Sequence, residues 1–284
     1  MSSPLVTIAL PLYNAETTLS VAVQSILGQT WQNWELLVMD DGSSDSSLTV
    51  ARSFNDPRIR IVTDGVNRGI GARLNQAVDM ARGDYFARMD ADDISFPERI
   101  EKQVRFMESN PSVDLLATGI LYIRNDDSPI GMIPVRTSHG EICRAPWNGF
   151  YMPHPTWLGR LDWFRANRYR SKADKAEDQD LLFRTCQFST FACLDDVLLA
   201  YRQERRLVGK MLNARYVFFK ALTGEALRQR RLGVAGRVVA IQILKAAADI
   251  LNICFGVTRL RNTLLSAPPD LLERWEQVRK SVRI

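Results

Sequence analysis

The stretch YFARMDADDISFPER, Tyr85 to Arg99, runs an apolar, strand-like segment straight into Asp90, Ala91, Asp92 and Asp93, then into a proline-led helix start near Phe96. Three carboxylates within four residues are costly to hold together, because like charges raise one another's pKa, unless a cation sits among them. A hard divalent ion with oxygen ligands, Mg2+ or Mn2+, suits the residue types. Such an ion takes one or two protein carboxylates and leaves its other positions to phosphate oxygens and water. Asp92 and Asp93 also read as caps of the helix that follows, and a D-x-D pattern alone does not separate the two readings.

Outward from this stretch, β-rich runs alternate with helical segments. VTIAL (Val6 to Leu10), WELLVMD (Trp34 to Asp40), RIRIV (Arg58 to Val62) and YFARMD (Tyr85 to Asp90) are separated by helices expected near Thr17 to Leu27, Ser46 to Phe54 and Gly69 to Ala81. This is the pattern of βαβ units and a largely parallel sheet with helices on both faces. The polar clusters Pro11 to Asn14, Asp40 to Asp45, Asn67 to Gly69 and Asp90 to Asp93 all follow strands, and ligands of such sheets gather at the carboxyl ends of strands. Further on, Val113 to Ile123 reads as one or two strands, Asn125 to Pro129 as a turn, Glu177 as a helix start, Cys193 to Arg202 as a late strand, and the chain from Leu207 as helices.

With 284 residues, 46% hydrophobic and 24% charged, the chain can bury a substantial core. The opening MSSPLVTIALPLYN lacks the basic and apolar regions of a secretory signal, and Cys143, Cys186, Cys193 and Cys254 show no C-x-x-C spacing. The expectation is a cytoplasmic protein. From Arg205 onward there are 16 Lys and Arg against 5 Asp and Glu, net +11, so the remainder carries −6 of the overall +5. A basic tail favours an anionic surface; without a recognition motif it is a poor signal for nucleic acid, which is not expected as a partner.

Two more clusters repeat the theme. In VMDDGSSD (Val38 to Asp45) a tight turn lets one carboxylate point into the crevice toward a base or ribose, or it is an ordinary turn and cap. In KAEDQDLLFRT (Lys175 to Thr185) the carboxylates Glu177, Asp178 and Asp180 exceed what one helix cap requires, and Asp178 facing the crevice could accept a proton from an attacking hydroxyl.

Taken together, VTIALPLYN (Val6 to Asn14), QTWQNWELLVMDDGSSD (Gln29 to Asp45), NRG (Asn67 to Gly69), LNQAVDMARGDYFARMDADDISFPER (Leu74 to Arg99) and AEDQDLLFR (Ala176 to Arg184) resemble family 2 glycosyltransferases of the GT-A fold, over roughly residues 5–205. The resemblance implies an α/β, Rossmann-like, mostly parallel mixed sheet flanked by helices in residues 1–205, with a basic, amphipathic helical extension in 206–284. It implies an inverting, metal-dependent transferase using a nucleotide-sugar, UDP being the commonest nucleotide, in bacterial surface-glycan assembly. By similarity Pro11, Tyr13, Asn14 and Asp41 hold the base with Asn67 nearby, Asp90 contacts the ribose, Asp92 binds Mn2+ or Mg2+ bridging the donor diphosphate, and Asp178 is the general base. Asp93 and Glu177 are further candidates beside them.

The chain departs from the family pattern in two places. Many relatives carry Y-R-x-H after the late strand, whereas Tyr201, Arg202 and Gln203 are followed here by Glu204; Arg205 and Arg206 could face the diphosphate instead or be surface charges. The Q-x-x-R-W motif of processive synthases is absent, which implies transfer of a single sugar. His154 in YMPHPTW sits where relatives often have a His-Pro pair near the acceptor or donor phosphates, and a structural role suits it equally. Trp147, Tyr151 and Trp157 could stack on a sugar or simply pack.

Arg237 to Arg261 is apolar but interrupted by Lys245 and Asp249, short of a membrane span of ~18–20 apolar residues. It reads either as an amphipathic helix on an anionic leaflet, beside a lipid-linked saccharide acceptor, or as a subdomain packed on the core. Two other functions compete with transfer. A sugar-1-phosphate nucleotidylyltransferase would need a glycine-rich loop after the first strand, where Pro11 to Asn14 stands. A non-catalytic scaffold would have no need of Asp41, Asp92 and Asp178 together.

Overall fold

The computed structural model describes residues 3–170, 176–203, 208–255 and 264–282. Its strands are β1 (Val6–Leu12), β2 (Trp34–Asp40), β3 (Ile59–Val62), β4 (Tyr85–Arg88), β5 (Ile94–Ser95), β6 (Leu115–Ile123), β7 (Pro129–Met132), β8 (Leu158–Arg160) and β9 (Phe191–Arg202). The helices are α1 (Leu19–Leu27), α2 (Ser47–Arg52), α3 (Ile70–Met80), α4 (Arg99–Ser109), α5 (His139–Ile142), α6 (Leu161–Ala166), α7 (Glu177–Thr185), α8 (Val208–Arg228), α9 (Leu232–Phe255) and α10 (Pro269–Ser281). The sheet runs β3-β2-β1-β4-β8-β6-β9-β5, with β7 on β6.

The first four strands pair in parallel, as the βαβ pattern demands. Alternate residues of a strand face opposite sides, and here each side has its own helices. Val6, Ile8, Leu10 and Leu12 of β1 pack with Leu19, Val23 and Ile26 of α1, whereas Ala9, Leu37 and Met39 face Leu74 and Val78 of α3 on the other side. Both faces being covered explains why β2 is apolar in continuous run rather than alternation. Beyond β4 the sheet turns mixed: β8 is antiparallel to β4 and to β6, while β6 and β9 pair in parallel. This mixed, helix-flanked sheet is the expected α/β class, and Val113 to Ile123 contributes a single strand.

The helix after the acidic stretch begins at Arg99, with Glu98 rather than Asp92 or Asp93 at its N-cap. Phe96 is instead fully buried, its ring 6.2 Å from that of Trp275 in α10. Leu271, Trp275 and Val278 of α10 thereby share a core with Ile94, Leu121, Leu198 and Ala200 of the sheet. Leu222 and Ala226 of α8 and Val238 of α9 enter the core around α7. The C-terminal helices therefore pack on the N-terminal sheet in two places, a long-range arrangement that no local pattern announces.

Candidate functional site

The loops after β1 and β2 lock together at the rim. Asn14, at φ 50°, donates its backbone N–H to Ser43 Oγ at 3.1 Å and accepts from Ser44 N through Oδ1 at 2.8 Å. Asp40 is buried and accepts from Ser43 N at 3.1 Å and Thr63 Oγ1 at 2.7 Å. Asp41 is likewise turned inward: its carboxylate accepts from Arg68 N at 2.7 Å, Gly69 N at 3.0 Å and the fully buried Arg73 Nε at 2.9 Å. Gly42 makes this turn at φ +76°, where a Cβ would stand 3.0 Å from the backbone of Val66 and Asn67. Asn67 itself is exposed.

At the end of β4 the carboxylate oxygens of Asp90, Asp92 and Asp93 come within 4.8 Å of one another. Arg88 donates to Asp90 Oδ1 at 2.5 Å, and Arg202 holds the turn through its backbone N–H to Asp93 Oδ1 at 3.0 Å and its Nε to Asp92 O at 3.0 Å. With Arg99, these arginines place three buried cations at the turn, but Arg202 also pairs with the buried Asp127 at 2.7 Å, so four carboxylates share them. The balance is incomplete: burial and the Asp90 charge push the Asp92 carboxyl up to about 6, and burial, Asp90 and Asp92 hold that of Asp93 well above the carboxylate range. Asp93 Oδ2 is buried without a hydrogen bond. An all-oxygen donor set short of positive charge fits a hard divalent cation.

A cleft of about 430 Å³ opens over this turn. Pro11, Tyr13 and Asn14 line it with Thr17 and Thr18 on one side, Asp90 and Asp92 form its floor, and Asn125, Asp127 and Arg202 the far side. Five of the sequence-derived residues thus share one cleft; Asp41, Asn67, Asp93, His154, Glu177 and Asp178 are not among its lining. Arg205 and Arg206 lie outside the described residues.

The first turn of α7 disperses its carboxylates. Asp180 pairs with Arg184 Nε at 2.8 Å and Arg170 at 3.7 Å. Glu177 is buried, 3.9 Å from His154 Nδ1, and Asp178 accepts from Gln179 Nε2 at 3.0 Å. His154 is buried against Trp157 and bonds Tyr169 Oη at 2.9 Å; burial, then the Arg88 charge, hold its pKa well below the histidine range. The Tyr169 hydroxyl is pushed above its ordinary value by burial and by the charges of Glu177, Asp178 and Asp90, with Arg88 opposing them. Sequence reasoning did not single out Arg88, Tyr169, Asp127 or Thr18. Arg88 lay inside the quoted motif as one more strand residue, and an arginine in an apolar strand before three aspartates was the available signal.

Residues 7–191 match the model of glycosyl transferase family 2. The chain belongs to that family. Within it, EpsE of Bacillus subtilis is 41% identical over 123 residues, covering 42% of this chain and 44% of EpsE. The Escherichia coli UDP-Glc:alpha-D-GlcNAc-diphosphoundecaprenol beta-1,3-glucosyltransferase WfgD is 41% identical over 146 residues, covering 51% of this chain and 57% of WfgD. The matched stretch thus spans about half the length of these relatives. Among solved structures, S. aureus TarS 1-349 in complex with UDP-GlcNAc superimposes with a TM-score of 0.63 at 17% identity, over 96% of this chain and 79% of that one. The likeness places this family 2 chain in the same GT-A fold.

Proposed function

We propose that this protein is an inverting, non-processive glycosyltransferase that moves one sugar from a nucleoside diphosphate donor, UDP-linked, to a hydroxyl of a glycan or lipid-linked saccharide. The observation that carries the reading is a single cleft lined by Pro11 near the end of β1, Tyr13 and Asn14 from the loop after it, and Asp90 and Asp92 from the turn after β4. The UDP-GlcNAc bound by TarS and the UDP-Glc donor in the name of WfgD support the choice of nucleotide.

In this scheme Pro11, Tyr13 and Asn14 receive the base and Asp90 the ribose. Asp41 braces the loop beneath them through Arg68, Gly69 and Arg73. A divalent ion, Mn2+ or Mg2+, held by Asp92 with Asp93 at hand, would offset the charge that builds on the diphosphate leaving group. Asp178 takes the proton of the acceptor hydroxyl as its oxygen attacks C1, the bond from C1 to the phosphate oxygen breaks, and the configuration at C1 inverts. His154, held neutral, keeps Tyr169 in place rather than adding charge.

The basic extension would meet an anionic membrane surface at the inner face of the cell. Leu227, Leu232, Ile243 and Leu244 are exposed on α8 and α9 beside exposed Arg228, Arg230 and Arg237. No helix among the described residues is long and apolar enough to cross a membrane, so contact would run along the surface.

Calorimetric titration with UDP, dTDP and GDP, each with and without Mn2+, tests the reading. Manganese-dependent binding of UDP alone is the expected result. Absence of binding to all three would favour a non-catalytic scaffold.

A further inference from the structure

Of the three carboxylates that open α7, Asp180 is engaged by arginines and Glu177 is buried beside His154. Among the described residues, Asp178 is held through Oδ2 by the side-chain amide of the next residue, Gln179, at 3.0 Å. Successive side chains on a helix point about 100° apart and do not face each other, so the glutamine must be bent back and kept there. The backbone of Phe150 does this: its N–H donates to Gln179 Oε1 at 2.8 Å, and its carbonyl accepts from Gln179 Nε2 at 3.3 Å. Because the Phe150 N–H can only donate, Oε1 is fixed on it and Nε2 is turned toward Asp178. The reversed amide would set a carbonyl against a carboxylate and an NH2 against an N–H. Gly149 brings the Phe150 peptide this close at φ +95°, and a Cβ there would stand 3.2 Å from Gln179 Oε1 and 3.4 Å from Phe218.

We infer that Gln179, clamped by the Gly149–Phe150 backbone, is a positioning residue for Asp178. It occupies Oδ2 with a directed amide hydrogen, fixes the carboxylate rotamer, and leaves Oδ1 to take the acceptor proton. This is the third member that orients a catalytic base, supplied here by the adjacent residue. The inference rests on the proposed role of Asp178 as base.

Two measurements on the full chain test it. In the side-chain amide NMR spectrum of the apo protein, the Gln179 NH2 pair should lie away from the free-glutamine position and shift in Asp178→Ala, which removes one of its two acceptors; a pair already at the free position in the wild type, or one that does not move in Asp178→Ala, would overturn the clamp without any substrate. In the second, UDP release from UDP-glucose and UDP-N-acetylglucosamine, with water as acceptor, is followed in Gln179→Met, Asp178→Asn and the double variant. Gln179→Met should lower kcat about tenfold, less than the roughly 10²–10⁴-fold attributed to the base itself, with donor KM and UDP affinity within about twofold of wild type. It should add no further loss on top of Asp178→Asn. Equal losses in both backgrounds, or full activity of Gln179→Met beside an inactive Asp178→Asn, would sink the positioning role alone. Wild-type turnover by Asp178→Asn, or no UDP binding and no turnover by the wild type, would sink the proposed function and this inference with it.

Discussion

Two acidic triplets, Asp90/Asp92/Asp93 and Glu177/Asp178/Asp180, look alike in sequence and meet opposite fates. The first follows a strand in a tight turn, which folds its carboxylates to within 4.8 Å of one another. The second opens a helix, and its carboxylates meet different partners: Glu177 lies beside His154, Asp178 accepts from Gln179, and Asp180 pairs with Arg184 and Arg170. Arginine completes the contrast. Arg88, Arg99 and Arg202 surround the first triplet without discharging it, whereas Arg184 and Arg170 take up Asp180 alone. Backbone geometry decides whether three carboxylates gather into one cluster or disperse to separate partners.

The widest break in the comparison is expected at Asp178. Asp178→Asn should cut transfer by about 10³-fold, within the range attributed to a general base, and leave UDP affinity nearly unchanged in calorimetry. An unaltered rate would remove it as the base. Asp92→Ala should do the reverse, weakening Mn2+-dependent UDP binding by roughly 30-fold, on the scale of lost groups at metal sites. Equal affinity with and without Mn2+ in both proteins would show that the first triplet is no cation site.

Smaller effects sharpen the same contrast. Asp180→Asn should weaken the charge-assisted bond to Arg184 and cost about 2 kcal/mol in urea unfolding. UDP affinity of the folded variant should stay within twofold, and a tenfold loss would place Asp180 in the donor site. His154→Gln should flatten the acid limb of stability. The folded protein keeps His154 neutral well below its ordinary 6.5, while the unfolded chain takes up a proton there. Its contribution is therefore complete above about pH 6.5 and falls as pH drops, by at most ~1.4 kcal/mol per unit. Urea midpoints at pH 7.5 and 5.5 should separate less in the variant than in the wild type, by an amount equivalent to about 1 kcal/mol; equal separation would mean that His154 protonates freely in the folded state.

The parallel half of the sheet was legible because its information is local. Apolar runs such as WELLVMD, each followed by a polar turn, mark buried strands and put their loops on one rim. The acidic stretch was legible for the same reason, and its alternative role as a helix cap failed because α4 starts only at Arg99. Phe96 was misplaced at the helix start because its partner, Trp275, lies in α10, far along the chain. The family resemblance gives Asp41 to the base; its carboxylate bonds the buried Arg73, one turn into α3, a partner that the sequence does not mark because an arginine in a helix carries no sign of burial.

By itself the sequence determined the α/β class, the order of the βαβ units, the rim that collects the polar loops and the family, all of which rest on residues close together in the chain. Only the tertiary structure decided that β6 and β9 run parallel, that α10 underpins the sheet beside the acidic turn, and that Arg88 and Arg202 hold that turn. It also decided how the three neighbouring carboxylates on α7 are partnered among the described residues. The reason is physical: hydrophobic periodicity is written by nearest neighbours on one element, whereas the partner of a buried charge is chosen by whichever distant segment packing brings within 3 Å of it.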